Sequence, residues 1–358
     1  MNRSSIVSLF SIAACIALVG ACSSGSQSNH DGGGGGNAGR GGAGGSSAGG
    51  AGGASAGNAG GGFAGGRAGG GGGGAGAPVD GGAGGTRDSG NLVDGGTVPV
   101  TIRFKATVGT APFACGVTYT NQGSTGTTVK PRDFRFYVQS VRLIDAHNQE
   151  IPLALDVRSP WQTADVALLD FEDGSADCVD GNAATNAIIT GTAPAGSYSG
   201  IVFTNGVPEA LNHADPLTLP APLQAGAMTW GWLYGFKFVK AELAATAAPV
   251  ADAGAGLGLV HVGSIGCDNS VDGGSPNFNG PPSVVCTQTN RNQIRLTGFD
   301  PTVRTIVADV GALFAATDLS KDQQCHSGGD ACPSMFWAIG LDFATGARLT
   351  TQTVYHVE

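Results

Sequence analysis

The residues of this chain best suited to bind a metal are its histidines, because neutral imidazole is a ligand for zinc, copper and iron. His213 lies just before a proline-rich segment, and His261 lies in an apolar, strand-like segment. His147, in a polar turn-like segment, and His326, in a loop-like segment beside a cysteine, are weaker candidates. A histidine on an apolar strand is more often a core residue than a ligand, so spacing alone leaves both interpretations open.

A second group that could take part in chemistry is the aromatic segment 228–238. Side chains two residues apart share one face of a strand. In this segment every second residue is large: Met228, Trp230, Trp232, Tyr234, Phe236 and Phe238. The pattern predicts a strand from Met228 to Leu243 that carries an aromatic ladder. Core packing is the ordinary explanation for such a ladder, with Met228 filling a gap in the core.

An acidic segment, residues 170–182, is the third candidate. Its carboxylates could hold calcium, which prefers oxygen ligands; they are Asp170, Glu172, Asp173, Asp177 and Asp180. Their spacing differs from that of an EF-hand loop. Solvated loop carboxylates are the commoner explanation for a segment of this kind, and a divalent-metal enzyme is the functional alternative.

Several function classes find no support in the sequence. The formal net charge of −9 argues against binding to nucleic acid and against adhesion to anionic lipid surfaces. Residues 99–358 contain no GxSxG motif and the chain contains no HExxH motif, which argues against the common serine hydrolases and zinc proteases. The chain also has no CxxC motif, which argues against zinc-ribbon and thioredoxin-like sites.

The N-terminus has the features of an export signal. Arg3 is followed by a short apolar run, and small residues precede Cys22; the run is too short for a lasting membrane span. Residues 1–21 are therefore predicted to be a lipoprotein signal peptide, with Cys22 as the lipidated residue that anchors the protein at the outer membrane or facing the periplasm. Ordinary cleavage near Ala21 with release of a free product is the alternative.

Composition divides the rest of the chain in two. Residues 22–98 are dominated by Gly, Ala and Ser, and such a segment cannot bury enough apolar surface to offset the entropy lost on ordering. We predict a disordered, flexible tether there. Residues 99–358 are long enough for one large domain, and we predict a single β-rich domain.

Six cysteines lie in the predicted domain, and an even number in an oxidising compartment favours disulfides. They are Cys115, Cys178, Cys267, Cys286, Cys325 and Cys332. Pairing of neighbours in sequence favours Cys325–Cys332 and Cys267–Cys286, which leaves Cys115–Cys178. Other connectivities are possible for six cysteines. If all six are bridged, no thiolate remains to bind a soft metal.

Strand patterns dominate residues 99–358. Val100–Val108 alternates between apolar and polar residues without a break. Phe134–Val138 and Val141–Ile144 predict one strand with a phase slip at Ser140, which is typical of a β-bulge. Further strands are predicted over 166–171, 198–205, 228–243, 258–262, 293–299 and 305–310, and a short helix over 310–318. The pattern predicts a mainly β fold, an antiparallel β-sandwich or open barrel with long loops.

Ordered matches along residues 100–341 give these patterns a family context. They include Asp133–Val138, Tyr198–Phe203, Leu211–His213, Trp230-Gly-Trp232 and His261–Ser264, together with Cys115, Cys267 and Cys286. In this order they resemble the copper-binding periplasmic proteins typified by MbnP of methanobactin operons, also called metallo-mystery-pair four-Cys motif proteins.

The resemblance implies a copper-binding protein without catalytic activity of its own. It implies that a partner, a di-haem enzyme of the cytochrome c peroxidase type, oxidises Trp230 or Trp232 to kynurenine. It further implies that the modified protein binds Cu(I) with help from His213 and His261. From the residues alone, a structural or adhesive surface lipoprotein, or a divalent-metal enzyme that uses the acidic segment, is the alternative.

Overall fold

Two β-sheets form most of the computed structural model, which describes residues 96–246 and 256–358. The strands are β1 (Thr97–Val108), β2 (Ala111–Pro112), β3 (Tyr119–Gln122), β4 (Thr127–Asp145), β5 (Glu150–Pro152), β6 (Ala154–Leu155), β7 (Val166–Asp170), β8 (Ile188–Pro194), β9 (Tyr198–Asn205), β10 (Val239–Ala245), β11 (Leu257–Val262), β12 (Asn292–Thr297), β13 (Thr305–Asp309), β14 (Gln323–Cys325) and β15 (Tyr355–Val357). The helices are short: α1 (Glu209–Asn212), α2 (Val310–Leu313), α3 (Cys332–Ala338) and a 3-10 turn at Gly226–Met228.

The predicted mainly β, antiparallel architecture is confirmed. One sheet has the order β15-β13-β1-β8-β6, and the other has the order β12-β9-β4-β10-β11-β14, with shorter strands added at β1 and β4. All strand pairs are antiparallel except β1 with β13 and β11 with β14. The two sheets share one apolar core, in which Phe104 of β1 contacts the rings of Phe136 and Phe203 from β4 and β9.

The alternation of apolar and polar residues in β1 predicts which of its side chains are buried, with one exception. Its apolar residues, Val100, Ile102, Phe104, Ala106 and Val108, are all buried. Among the intervening residues, Arg103 is exposed, as a period of two requires. Thr107 differs from the prediction: it is buried, and its hydroxyl has no hydrogen-bond partner.

Strand β4 contains the predicted bulge. Ser140 has a φ of 51°, and the register with β9 shifts between Gln139 and Arg142. The extra residue reverses the phase of the side chains, so the apolar residues on both sides of Ser140 remain buried. This long strand pairs with five others and thereby fixes the position of β10, which carries part of the site described below.

The prediction of a strand over residues 228–238 is wrong. Gly231 and Gly235 have φ values of 96° and 70°, a region that glycine adopts without a steric penalty. The chain folds back between them, with the Gly235 N–H donating to the Gly231 carbonyl at 2.9 Å. Regular strand structure begins only at Val239. The aromatic residues therefore do not form a ladder, because a turn separates Trp230 from Phe236.

Other predictions differ in extent. The helix predicted over 310–318 is present but covers only Val310–Leu313. Within the described residues no helix has the length and apolar character needed to cross a membrane. The predicted signal peptide, Cys22 and the tether up to residue 95 lie outside the described residues.

Replacing Phe136 with Ala is expected to lower the free energy of unfolding by about 3–5 kcal/mol, the usual cost of a buried Phe→Ala change. Phe136 is fully buried between the sheets and contacts four other aromatic rings. Denaturant titration measures the loss. Val303→Ala, at a side chain that is 75% exposed, serves as the control and should change stability by less than about 0.5 kcal/mol. Similar losses in both variants would contradict this account of the core.

Candidate metal centre

The structure brings His261 and His326 together at one edge of the larger sheet. His261 lies on β11, which pairs in parallel with the edge strand β14, with Val260 opposite Cys325. Continuing that register by one residue sets His326 beside His261. The two Nδ1 atoms are 3.1 Å apart, and the ring centroids are 4.9 Å apart at an interplanar angle of 71°.

Neighbouring residues hold His326 in this position. Cys325 forms a disulfide with Cys332 at the start of α3. On the other side, Ser327 is fully buried; its hydroxyl donates to the His261 carbonyl at 3.0 Å and accepts from the Gly263 N–H at 2.8 Å. The disulfide fastens the segment to α3 and the hydrogen bonds fasten it to the β11 segment, so the approach of the two imidazoles does not depend on the imidazoles alone.

A hydrogen bond to a carboxylate also fixes the tautomer of His261. Nε2 of His261 is 2.8 Å from Oε1 of Glu242, and a carboxylate only accepts, so Nε2 carries the proton. The amide of Gln324 donates to Asp322, and its Oε1 lies 3.4 Å from Nε2 of His326, which is long for a hydrogen bond. The lone pair on Nδ1 of His261 therefore faces Nδ1 of His326, whose N–H donates to it at 3.1 Å in the neutral pair.

Both rings are neutral near neutral pH. Burial lowers the pKa of His261 to about 4, with Lys237 and His326 acting in the same direction and Glu242 opposing them. Burial and Lys237 also lower the pKa of His326, again against Glu242. Two neutral imidazoles with neighbouring Nδ1 atoms can bind a cation without a net loss of protons from the pair.

Trp230 lies next to this pair. Its ring centroid is 6.3 Å from that of His261. The indole reaches this position because residue 263 is glycine: a Cβ there would lie 2.4 Å from Cζ3 of Trp230. A largely apolar cavity of about 440 Å³ opens beside it, lined by Trp230, Tyr234, Ser264, Ile265, Phe278 and His326.

His213 and Trp232 meet at a different place. The Trp232 indole N–H donates to the His213 carbonyl at 2.7 Å, and Nδ1 of His213 is 3.3 Å from the Trp232 carbonyl. Nε2 of His213 is 3.3 Å from the sulfur of Cys286. Among the described residues, the sulfurs of Cys267 and Cys286 lie within 4.8 Å of a ring nitrogen of His213. His261 and His326 are not in this group.

The six cysteines of the domain form the three disulfides that pairing of neighbours favoured. They are Cys115–Cys178, Cys267–Cys286 and Cys325–Cys332.

His147 lies apart from the other candidate site residues. It is an exposed turn residue whose backbone N–H donates to the carboxylate of Asp145. Among the described residues, it forms no hydrogen bond with another candidate ligand.

Two carboxylates of the acidic segment form ion pairs, Asp177 with Lys130 and Asp180 with Lys240. Carboxylates of Asp133, Asp180 and Glu242 converge, but the Lys240 ammonium lies among them, 2.6 Å from Asp133 and from Asp180 and 3.3 Å from Glu242. An ammonium group therefore lies at the centre of this carboxylate cluster. The Asp133–Arg135 pair extends the same network.

Sequence reasoning did not predict the contact of His326 with His261. Sixty-five residues separate it from His261, and β14 is only three residues long, which is too short for a clear periodic pattern. The nearest signal in the sequence is the adjacent Cys325, whose disulfide constrains the loop. The pairing of β14 with β11 follows from no local pattern.

Asp170 gives the acidic segment a testable pH dependence. The side chain is buried, and burial raises its pKa to about 7, against the opposing effects of Arg135 and of the Glu172 N–H. Since the unfolded pKa is about 3.9, the folded protein binds the extra proton between these values. The stabilisation is complete below about pH 4 and is lost as pH rises through about 7, at up to about 1.4 kcal/mol per pH unit.

Asp170→Asn keeps the shape of the neutral acid and should remove this contribution. Unfolding free energies of the two proteins, measured on both sides of the pH range, give the difference in slope. A variant with the same pH dependence as the unmodified chain would contradict the assignment.

Comparisons with known proteins identify the family of this chain. A family model described as MbnP matches residues 97–327. The solved structure of MbnP from Methylosinus trichosporium is 32% identical, with a TM-score of 0.61, and the match covers 73% of this chain and 98% of that chain. No curated protein matches the sequence. The extent of the family match shows that this chain belongs to the MbnP family.

Proposed function

We propose that this protein is an extracytoplasmic copper-binding lipoprotein without catalytic activity of its own. The observation that carries the proposal is the pair of facing imidazole nitrogens on His261 and His326, beside Trp230. Copper is favoured because imidazole ligands suit it and because the family resemblance associates this fold with copper. The lipid anchor at Cys22 and the location at the outer membrane or facing the periplasm rest on the sequence.

The arrangement of the nitrogens fits a single small cation. Two nitrogen ligands that each lie about 2.0 Å from one ion are about 3 Å apart when the angle at the ion is near tetrahedral. The observed Nδ1–Nδ1 distance is 3.1 Å. Without a proton or a cation between them, two lone pairs at this distance repel each other. His261 and His326 would hold the ion, and burial of His261 would restrict water.

A third donor would come from Trp230. The indole nitrogen offers no lone pair for coordination, whereas the arylamine of kynurenine does. Trp230 is favoured over Trp232 because its ring lies 6.3 Å from His261, while the Trp232 N–H is committed to the His213 carbonyl. His213 then contributes through the Trp232 segment and the disulfide beside it, and not as a ligand of the same ion.

The conversion needs an oxidant that the chain does not supply, and the di-haem, cytochrome c peroxidase-type partner is proposed to provide it. With a peroxide as oxidant, the C2–C3 bond of the indole breaks and each of the two carbons gains an oxygen atom, which gives N-formylkynurenine as two peroxides become water. Hydrolysis then releases C2 as formate and leaves kynurenine. Trp230 and Trp232 are both partly exposed, which suits oxidation by a protein that docks against this surface.

Trp230→Phe is expected to abolish both the modification and tight Cu(I) binding, whereas Trp232→Phe should retain both. Protein expressed together with the partner enzyme is digested, and tandem mass spectrometry locates the peptide that has gained one oxygen and lost one carbon. Cu(I) affinity is measured by competition with a chelator. Modification at Trp232 would contradict the choice of residue, and tight binding by unmodified protein would contradict the role of kynurenine.

Replacing either imidazole should weaken Cu(I) binding by more than the roughly 10- to 100-fold that loss of an outer-sphere partner costs. His261→Asn and His326→Asn test the two ligands, and His147→Asn, in an exposed turn, is the control. His213→Asn should cost less than either ligand variant. An affinity that falls for His213→Asn but not for His326→Asn would overturn the proposed ligand pair.

A further inference from the structure

Glu242 lies at the centre of a charged patch on one face of the larger sheet. On β10, Glu242 and Lys240 are two residues apart and so share a face. The strand registers set Lys240 between Arg135 of β4 and His261 of β11, and set Glu242 opposite Asp133. Glu242 is 8% exposed, and Lys240 and Asp133 are almost fully buried.

The contacts of Glu242 differ from those expected of a simple partner for Lys240. The Lys240 ammonium already has two closer carboxylates, Asp133 and Asp180, each at 2.6 Å, whereas Oε1 of Glu242 is 3.3 Å away. The shorter contact of that oxygen is with Nε2 of His261, at 2.8 Å. Lys240 therefore holds the carboxylate in place, and the carboxylate makes its stronger hydrogen bond to the histidine.

This contact selects the nitrogen that His261 can offer to a ligand. As an acceptor only, the carboxylate keeps the proton on Nε2 and leaves the lone pair on Nδ1. The same hydrogen bond fixes the rotation of the ring, so that Nδ1 faces Nδ1 of His326. Carboxylates that orient a coordinating histidine in this way also raise the basicity of its free nitrogen.

We propose that Glu242 is the positioning residue of the metal site. It fixes the tautomer and orientation of His261 before any ion arrives, and the ion-paired network of Asp133, Lys240 and Asp180 fixes Glu242 in turn. The part of this inference that concerns metal affinity rests on the proposed copper-binding function, whereas the tautomer can be tested on metal-free protein.

The test compares Glu242→Gln with Glu242→Ala in the full chain. The carboxamide oxygen of Gln can still accept from Nε2 of His261, and Ala removes the acceptor. In either variant Lys240 retains Asp133 and Asp180 as partners. Glu150→Gln, which alters ion pairs with Arg142 and Arg295 elsewhere on the protein, is the matched control.

Nitrogen-15 NMR of the metal-free proteins should show His261 protonated on Nε2 in the unmodified chain, in Glu242→Gln and in the control. Glu242→Ala should show a mixture of tautomers. Cu(I) competition on protein carrying the modified tryptophan should then show a loss of about 10- to 100-fold for Glu242→Ala, a smaller loss for Glu242→Gln and none for the control. Partial rescue by Gln distinguishes positioning from a general effect on folding.

Two results would overturn the inference: a His261 tautomer that is unchanged in a folded Glu242→Ala protein, or an unchanged Cu(I) affinity of that variant. A different result bears on the proposed function. If the parent protein with modified tryptophan fails to bind Cu(I) while the tautomers follow the expected order, copper binding is refuted and the hydrogen-bond role of Glu242 is not.

Discussion

The candidate site depends on one short pairing of strands, that of β11 with the edge strand β14. Three residue pairs define it, and a three-residue strand has little intrinsic stability. The Cys325–Cys332 disulfide and the hydrogen bonds of Ser327 compensate by fastening both sides of His326. The distance between the two imidazoles is thus set by backbone structure, which gives the proposed ligands a fixed separation before any ion binds.

Behind this pair, the sheet buries charge that would be costly without partners. Removing Asp133, Arg135 and Lys240 from water carries a penalty of several kcal/mol for each ion. The structure offsets it by pairing every one of these groups. A network whose members fix one another has few alternative arrangements, so its rigidity reaches His261 through Glu242. Such a rigid network, although costly to bury, suits a site in which the orientation of the His261 imidazole matters.

The aromatic segment shows how two glycines can override a periodic pattern. Large residues at every second position favour a strand, but Gly231 and Gly235 admit a turn that other residues would resist. Gly235 has a second role, since a Cβ there would lie 2.5 Å from the carboxamide oxygen of Asn212. The turn separates the two tryptophans: Trp230 lies beside the histidine pair, and Trp232 beside His213 and a disulfide.

The sequence by itself determined the features that arise from short-range periodicity. The alternation in β1, the strand β9 with its predicted bounds, the bulge at Ser140 and the strand that carries His261 all follow from which side chains must be buried on a pleated surface. Family resemblance added the tryptophan motif. The tertiary structure alone decided which histidines meet. Contact between His261 and His326 depends on a pairing across 65 residues, and local pattern holds no information on such pairings, because they follow from how the whole sheet packs.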